Sequence, residues 1–578
     1  MKSFLSVIAL ITPLQVYSEI PKYIIDLTST SISIQNKINI QICSGFMNED
    51  VRTGEAVYTL QDEPYDSDWL KDTEDIDTIN LTDIDTLLTK CLEINNMIKG
   101  YILYDYKLQQ VLVPNLITLA SVTNALLLES NDPLISKLPL LFDAITEWKD
   151  FNAVDATSYM YDNYINSTST LGWMNPGYDQ HQDPRNPPIT HDLNPKLIDY
   201  IVKAKIFNLY MNNACIEGTD DYNLLLKITT NNPWPRPIPV YGYNDAYPIA
   251  GDIFEAETSC NDAHNMGQIA SDNVNNLAFF SRKQPITTPV IQNTYRMDTY
   301  DPSRTYVMFS MGDGDNLSLL KGPRRTWMQQ RVSNCLSGDS STTTSTTKST
   351  TTNTSNSNSL SCFPLTWTIS PHALHLAPDW IEWFYEQSYQ TKHDYFMLPP
   401  TGDLYSYPSE MPQDVLTNYI KNTEYDSYLL NTSSTTEWEW FGHWKHAETY
   451  YFPQYETNQI VKGIFTVNVP YNLPIPTVFE PGKSHKKITE HVIAFKPREW
   501  RGTTFPGVPF SRHNYLTPSE QATVLNNLPK GSLTWIYVTS DGGANLQMLY
   551  DLIPYLDEHV IVTDPESLIS LAFQAEKL

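Results

Sequence analysis

The C-terminal half of the chain repeats one rhythm: a short apolar run rich in β-branched and aromatic residues, a polar or glycine-bearing loop, then a longer segment with helical spacing. The runs that predict strands are 238–243, 277–281, 305–311, 365–369, 394–398, 427–430, 463–469, 491–495, 533–539 and 559–562. Helix starts lie between them. Thr517-Pro518-Ser519-Glu520 is a capping box with proline at the first helical position, and Asp564-Pro565-Glu566-Ser567 opens the last helix in the same way. Strands that alternate with helices predict an α/β fold with a parallel sheet. Ten candidates exceed the eight strands of an ideal barrel, so a distorted (β/α) barrel with one or two runs outside it is expected, with an open doubly wound sheet as the competing architecture.

Upstream the same patterning gives smaller units. Residues 101–104 and 110–114 predict strands and 119–128 a helix. A second helix is predicted over 196–212, with its apolar face at Ile198, Ile201, Ala204, Ile206 and Leu209. The proline-dense segment 232–239 reads as an extended linker. The expected organisation is a signal peptide over 1–18, an N-terminal α/β domain over 19–98, a second α/β domain over 99–235 and the barrel-like domain over 236–578.

Charge removes two classes of partner. Lys and Arg number 38 against 66 Asp and Glu, a formal net charge of −28, which repels phosphate backbones and anionic lipid and so argues against nucleic-acid binding. Much of the excess lies between Glu49 and Asp85. It follows no EF-hand spacing and reads as a solvated face. Lys2, the apolar run 4–14 and Val16-Tyr17-Ser18 have the form of a secretory signal, and no later run reaches 18 uninterrupted apolar residues. The expected location is therefore extracellular or endolysosomal, without a membrane span. Sequons at Asn80, Asn166, Asn316, Asn353 and Asn431 fit that route. So do six cysteines without a CxxC spacing, although six allow 15 pairings. Cys335 and Cys362 bracket a Ser/Thr/Asn tract, 337–361, that cannot bury enough apolar surface to order itself.

The richest local chemistry follows the run 305–311. There Gly312-Asp313-Gly314-Asp315-Asn316 has turn composition, so two carboxylates leave the carboxyl end of a predicted strand, where α/β folds collect ligands. Some 90 residues on, a second predicted strand is followed by Pro400-Thr-Gly-Asp-Leu-Tyr-Ser-Tyr-Pro408. With the aspartate turn this loop resembles the GxGYxYP family, secreted proteins described as glycoside-hydrolase-like. The match is carried by Gly402, Tyr405, Tyr407 and Pro408, with Leu404 where the motif has its second glycine. Weaker matches lie at Trp69-Leu70, Ser271-Asp272 with Asn276-Leu277, 367–371, 463–465 and 562–566, and extend the resemblance over most of the chain. It implies a barrel-like domain and a carbohydrate substrate, and establishes no catalytic residues. Leucine in place of glycine suggests either another loop path or space lost to a ligand.

Glycoside hydrolysis needs one protonated and one ionised carboxyl group across one bond. Asp313 and Asp315 rank first, since two charges in one turn push one pKa upward. Asp403 and Asp541 come next. Asp252, Asp272, Asn276, Asn316 and Gly402 are further binding candidates, and Tyr405, Tyr407, Trp440 and Trp500, with Trp438 and Trp444, are rings on which sugar CH faces could stack from loops after strands. No cofactor is called for. His372 with His375 and His443 with His446 have helical spacing that could join an aspartate in a metal-dependent deacetylase, one alternative to hydrolysis by paired carboxylates. A carbohydrate-binding or surface recognition protein without turnover is the other. No Gly-x-Ser-x-Gly elbow occurs.

One expectation is testable from composition alone. Protease should nick the tract 337–361 while the two fragments stay joined on a non-reducing gel, because a Cys335–Cys362 bridge closes a loop of this length at a chain-entropy gain of about 3.5 kcal/mol. Fragments that separate without reductant would rule the bridge out.

Overall fold

The computed structural model of the protein describes residues 20–49, 54–74, 78–94, 97–174, 195–211, 213–242, 253–271, 273–293, 295, 299–340, 362–440, 442–469, 478–504, 514–539 and 543–577. Among these the fold is mixed α/β, with five sheets in which almost every pairing is parallel. Strands β1 (Tyr23–Asp26) and β2 (Val57–Leu60) form a parallel pair. Strands β3 (Gly100–Leu103), β4 (Ala125–Leu128) and β5 (Leu140–Asp143) form a sheet ordered β4-β3-β5. Strands β6 (Leu171–Trp173), β7 (Phe207–Leu209), β8 (Ile238–Tyr241) and β9 (Met266–Ile269) form another, ordered β7-β6-β8-β9.

The remaining strands are β10 (Thr305–Met311), β11 (Leu365–Thr368), β12 (Asp394–Met397), β13 (Ser434–Trp440), β14 (Gly463–Val469), β15 (His485–Lys487), β16 (Ile493–Phe495), β17 (Glu499–Trp500), β18 (Leu533–Val538) and β19 (Val560–Val562). They make two sheets. One runs β12-β11-β10-β18-β17 with β19 also on β10, and the other β13-β14-β16-β15, where only the β15–β16 pair is antiparallel. The barrel expected from the rhythm is not present as one closed sheet among the described residues. The two sheets meet at a single parallel bridge between Leu398 and Thr435, and again through the chain 493–500, which pairs with β14 at its start and with β18 at its end. An aromatic core lies between them. Phe465 stacks on Phe495 at 4.6 Å, Trp535 meets Phe465 edge-on at 5.3 Å, and Met308, Tyr405, Tyr407, Trp438 and Tyr537 belong to the same buried cluster.

Several expected elements shift for local reasons. The predicted strand 277–281 is a one-turn helix, Leu277–Phe280, since a short apolar run does not distinguish the two. Residues 427–430 finish the helix Gln413–Leu429, and the strand comes four residues later, as β13. Predicted strand 110–114 is instead the entry to the helix Val113–Thr123. The helices expected over 119–128 and 196–212 each stop early, at Asn124 (φ 59°) and Lys205 (φ 52°), whose left-handed backbone ends the helix and turns the chain into β4 and β7. The run 238–243 supplies β8, which pairs with β6 and β9 rather than with the C-terminal strands. Both capping signals are in place. Thr517 and Glu520 form a reciprocal box, and the Asp564 side chain accepts from Ser567 N at 2.8 Å.

The acidic stretch is not simply a solvated face. Asp66 is fully buried; its carboxylate accepts from the Gln61, Asp62 and Asn275 nitrogens at 2.8, 2.7 and 3.0 Å and pairs with the equally buried Lys321. Asp72 pairs with Arg325. Three disulfides, Cys43–Cys91, Cys215–Cys260 and Cys335–Cys362, fix the cysteine connectivity; of the tract 337–361 expected to lack order, 337–340 end the helix Arg325–Ser340 and 341–361 lie outside the described residues.

Leu404 is a core residue. It is 2% exposed, its φ is not positive, and its side chain fills the space beside Gly267, where an added Cβ would come within 2.7 Å of Leu404 Cβ. Leu404 thus packs into the space that the glycine at 267 on β9 leaves open.

Two substitutions check this packing. Lys321→Met leaves Asp66 buried without its cation and should lower the unfolding free energy in urea by about 3–5 kcal/mol, most of it regained in the Asp66→Asn/Lys321→Met double variant. Leu404→Gly should cost at least about 2–5 kcal/mol, the range for emptying a buried leucine site, with no gain in glycan binding; a tighter-binding Leu404→Gly protein would contradict the packing role.

Candidate active site

The turn after β10 is built by close approach. A Cβ on Gly312 would stand 2.3 Å from the Tyr537 ring, and one on Gly314 would stand 1.8 Å from Thr368 O, so neither position takes a side chain. Between them Asp313 adopts φ 58°, a conformation aspartate tolerates. Thr368 locks the turn to β11: its hydroxyl accepts from Gly314 N and donates to Met311 O, both at 2.9 Å. The sequence Gly-Asp-Gly-Asp therefore presents two carboxylates at a fixed place on the carboxyl end of the central strand.

Asp313 is held from three sides. Tyr537 Oη donates to its Oδ1 and Thr539 Oγ1 to its Oδ2, both at 3.2 Å, and its own N–H donates back to Tyr537 Oη at 2.8 Å. The Arg324 guanidinium, 2% exposed, lies 3.8 Å from Oδ2 and also donates to Gly312 O. Asp315, half-buried beside it, has its carboxyl pushed up to about 8, first by burial and then by the charge of Asp313. One carboxylate set in donors thus adjoins one carboxyl group that keeps its proton at neutral pH.

Two strands away lies a third carboxyl group. Glu499 is in register with Tyr537 across the β17–β18 pair, so both side chains emerge on one sheet face, and Glu499 is 7% exposed. Two strand spacings put its backbone roughly 10 Å from Ser310, three residues before Asp313. The tyrosine loop and β13 supply aromatic rings that share the buried cluster of Tyr537. Tyr405 is bridged to Gln268 by backbone hydrogen bonds of 2.9 and 3.1 Å and meets the Trp438 ring edge-on at 4.9 Å. Tyr407 is fixed by its N–H to Asp262 Oδ2 at 2.7 Å and tilts over Trp440 at 6.2 Å. Trp440 is half-exposed, unlike the buried Tyr405, Tyr407 and Trp438.

Other candidates fall elsewhere. Asn276 faces the N-terminal part of the chain, accepting from Thr59 N and Oγ1 at 2.8 and 3.0 Å. Asn316 caps the following helix, accepting from Ser318 N and Oγ at 2.9 and 2.6 Å. Gly402 (φ 49°) packs on Thr423 and Tyr419, where a Cβ would lie 2.7–2.8 Å from their side chains. Asp403 turns toward the helix Gln413–Leu429, accepting from Asn422 Nδ2 at 3.0 Å; burial pushes its carboxyl up to about 6, and it faces Asp426 rather than Asp313. Trp500 is not on a loop. It sits on β17, fully buried, with Nε1 donating to Leu516 O at 2.8 Å, and Trp444 is likewise buried on a short helix. Asp252, Asp272 and Asp541 lie outside the described residues.

Among the described residues neither histidine pair meets an aspartate carboxylate, and His372 reaches only the backbone of Asp403. His372 and His375 meet ring to ring at 5.6 Å with pKa values pushed down by burial to about 4 and about 3, and His443 Nδ1 is 3.1 Å from Glu410. Among the described residues no three His, Cys, Asp or Glu side chains converge as a metal-ligand set. Arg324, Tyr537 and Glu499 were not singled out from sequence. The alternation Glu437-Trp438-Glu439-Trp440 would have revealed β13 and its two buried glutamates, whose carboxyls burial pushes up to about 8. Glu437 accepts from Tyr451 Oη at 2.7 Å, on the face away from Trp438.

Comparison with known proteins places this geometry in a wider setting. The fold is similar to that of a crystal structure titled as a putative hydrolase from Bacteroides thetaiotaomicron VPI-5482, with a TM-score of 0.70 over 96% of each chain at 19% identity, a likeness that speaks to the fold alone. No curated protein matches the sequence. Residues 335–472 match the family model described as GxGYxYP putative glycoside hydrolase C-terminal domain, which supports the assignment read from the tyrosine loop over that stretch, and not over most of the chain as the scattered motifs suggested.

Proposed function

We propose that the protein is an exported glycoside hydrolase that works at the carboxyl ends of β10, β17 and β18, on a barrel-like wrap of the two C-terminal sheets. The observation that carries this reading is the Asp313–Asp315 turn, where a carboxyl pushed up to about 8 stands beside a carboxylate set in hydrogen-bond donors. Asp315 is assigned as general acid to the leaving oxygen. Asp313 raises its proton affinity, and Tyr537, Thr539 and Arg324 position Asp313. Glu499 is assigned as the ionised partner across the bond, since two groups on one turn cannot flank it from opposite sides. Trp440 is the ring left open for a sugar face.

A panel of glycans, with and without chelator, tests the class. Turnover indifferent to chelator is expected. Binding without turnover would mark a recognition protein, and loss of turnover with chelator a metal-dependent hydrolase. Asp315→Asn and Glu499→Gln should each lower turnover by roughly 100-fold or more, as for removal of a general acid or its partner, with the melting temperature not reduced.

The pH dependence has a defined sign. A carboxyl with a folded-state pKa near 8 holds a proton that the unfolded chain releases near pH 4, so it makes stability fall as pH rises between those values. Asp315→Asn should therefore flatten the stability profile between about pH 4 and 8. In the wild type, activity should decline on the alkaline side near pH 8 as the acid ionises. Full activity in both Asp315→Asn and Glu499→Gln would overturn the assignment.

A further inference from the structure

On the outer flank of the β17–β18 edge is a cavity of about 130 Å³ lined by Gly482, Lys483, Ser484, Lys496, Arg498 and Thr534, among others. Its charge is the reverse of the molecule's. In a chain of net charge −28, three cations meet here, and among the described residues none of them forms an ion pair or a side-chain hydrogen bond with an acid. Their convergence is built in by the backbone. Lys496 and Arg498 are two apart on the chain linking β16 to β17, so they emerge on the face opposite Glu499. That chain is fixed to β18 by Trp535 Nε1 to Lys496 O at 3.1 Å and Tyr537 N to Arg498 O at 2.9 Å. The far wall is fixed as well, by Leu533 N to Ser484 Oγ at 3.1 Å and Lys496 N to Ser484 O at 3.0 Å.

Like charges held together on a rigid frame raise the energy of the empty pocket. Burial pushes Lys496 and Arg498 down from their ordinary values, and Arg498 adds to the effect on Lys496. Acidic side chains are abundant in this protein, yet among the described residues none lines the gap. Ser484 Oγ accepts from Leu533 N and lies 3.4 Å from His485 Nδ1, and Thr534 adds a second hydroxyl, so the walls offer charged and neutral polar groups around a space several waters in size. Such a set suits a compact oxyanion with several acceptor oxygens. We propose that this pocket is an oxyanion site that takes sulfate or phosphate, free in solution or carried as an ester on a larger molecule. It lies on the opposite face of the sheet from Asp313 and Tyr537 and is independent of the hydrolase reading.

The test is thermal denaturation of the full chain titrated with sodium sulfate or sodium phosphate against sodium chloride at matched ionic strength. A saturable rise in melting temperature is expected with at least one oxyanion and not with chloride. Its midpoint should move at least tenfold in Arg498→Gln. Lys483→Gln, at an exposed position, and Lys496→Gln keep the test open should Arg498→Gln fold poorly; in chloride Lys496→Gln should melt no lower than wild type, because a repulsion has been removed. Dextran sulfate with unsulfated dextran as control separates the two sources: an ester-carried group binds more tightly than free sulfate in a variant-sensitive way, and a free-anion site does not. An equal rise in chloride, or unchanged midpoints in all three variants, would overturn the proposal.

Discussion

The organisation of the molecule depends on burying cations along one helix. The segment Leu317–Ser340 follows the aspartate turn and carries Lys321, Arg324, Arg325 and Arg331, all with side chains at most 2% exposed. A buried cation without a partner is far costlier than a surface one, so each must find an anion or carbonyl in a fixed place. Each finds a different one. Lys321 pairs with Asp66 from the N-terminal part of the chain, Arg324 reaches Gly312 O and Asp313 in the turn, Arg325 pairs with Asp72 while lying over the Trp69 and Trp383 rings at 4.2 and 4.8 Å, and Arg331 grips Asp394 at the start of β12 at 3.1 Å. One helix thus sets the spacing between distant segments and the candidate site.

The local form of that helix follows from the same requirement. It widens into a π turn over Leu320–Arg324 with Pro323 inside, where proline has no N–H to give and the wider turn changes the angular spacing of its neighbours. Lys321, Arg324 and Arg325 leave the helix toward three different targets. Trp69 Nε1 donates to Lys321 O at 2.7 Å, so even a carbonyl of this turn is used to hold the N-terminal segment. The acidic stretch therefore does two jobs. Part of it faces solvent, and Asp66 and Asp72 are the counterions that let a cationic helix lie inside.

Much of this was legible in the residues and some was not. The aspartate turn could be read because strand, glycine and aspartate occur in order, and its glycines prove to be required by contact with Tyr537 and Thr368. Capping at Thr517 and Asp564 is equally local and equally readable. Asp66 could not be separated from its acidic neighbours, since its burial depends on a lysine more than 250 residues away. Leu404 suggested either another loop path or space lost to a ligand, and its packing on Gly267, more than 130 residues away, could not be read from the chain. Asp403 lies in the tyrosine loop as read but turns toward the helix Gln413–Leu429, and Trp500, read into a loop, sits in β17; register, which depends on partners distant in the chain, decides which side a strand residue takes.

The same point governs the chemistry. Glu499 and Trp500 are adjacent, yet the first shares a face with Tyr537 and the second lies buried against Leu516 on the other. Arg498, one residue earlier, returns to the outer face with Lys496 and faces the basic cavity. Alternation thus sets Glu499 apart from Arg498 and Trp500, and the different packing along the second face gives Trp500 to the core and Arg498 to the charged hollow. This stretch also joins the two C-terminal sheets, pairing with β14 through β16 and with β18 through β17. A shift of its register by one residue would exchange the two faces, putting the Arg498 guanidinium on the face of Tyr537 and Glu499 on the other, so the sheet junction and the site are specified by the same pairing.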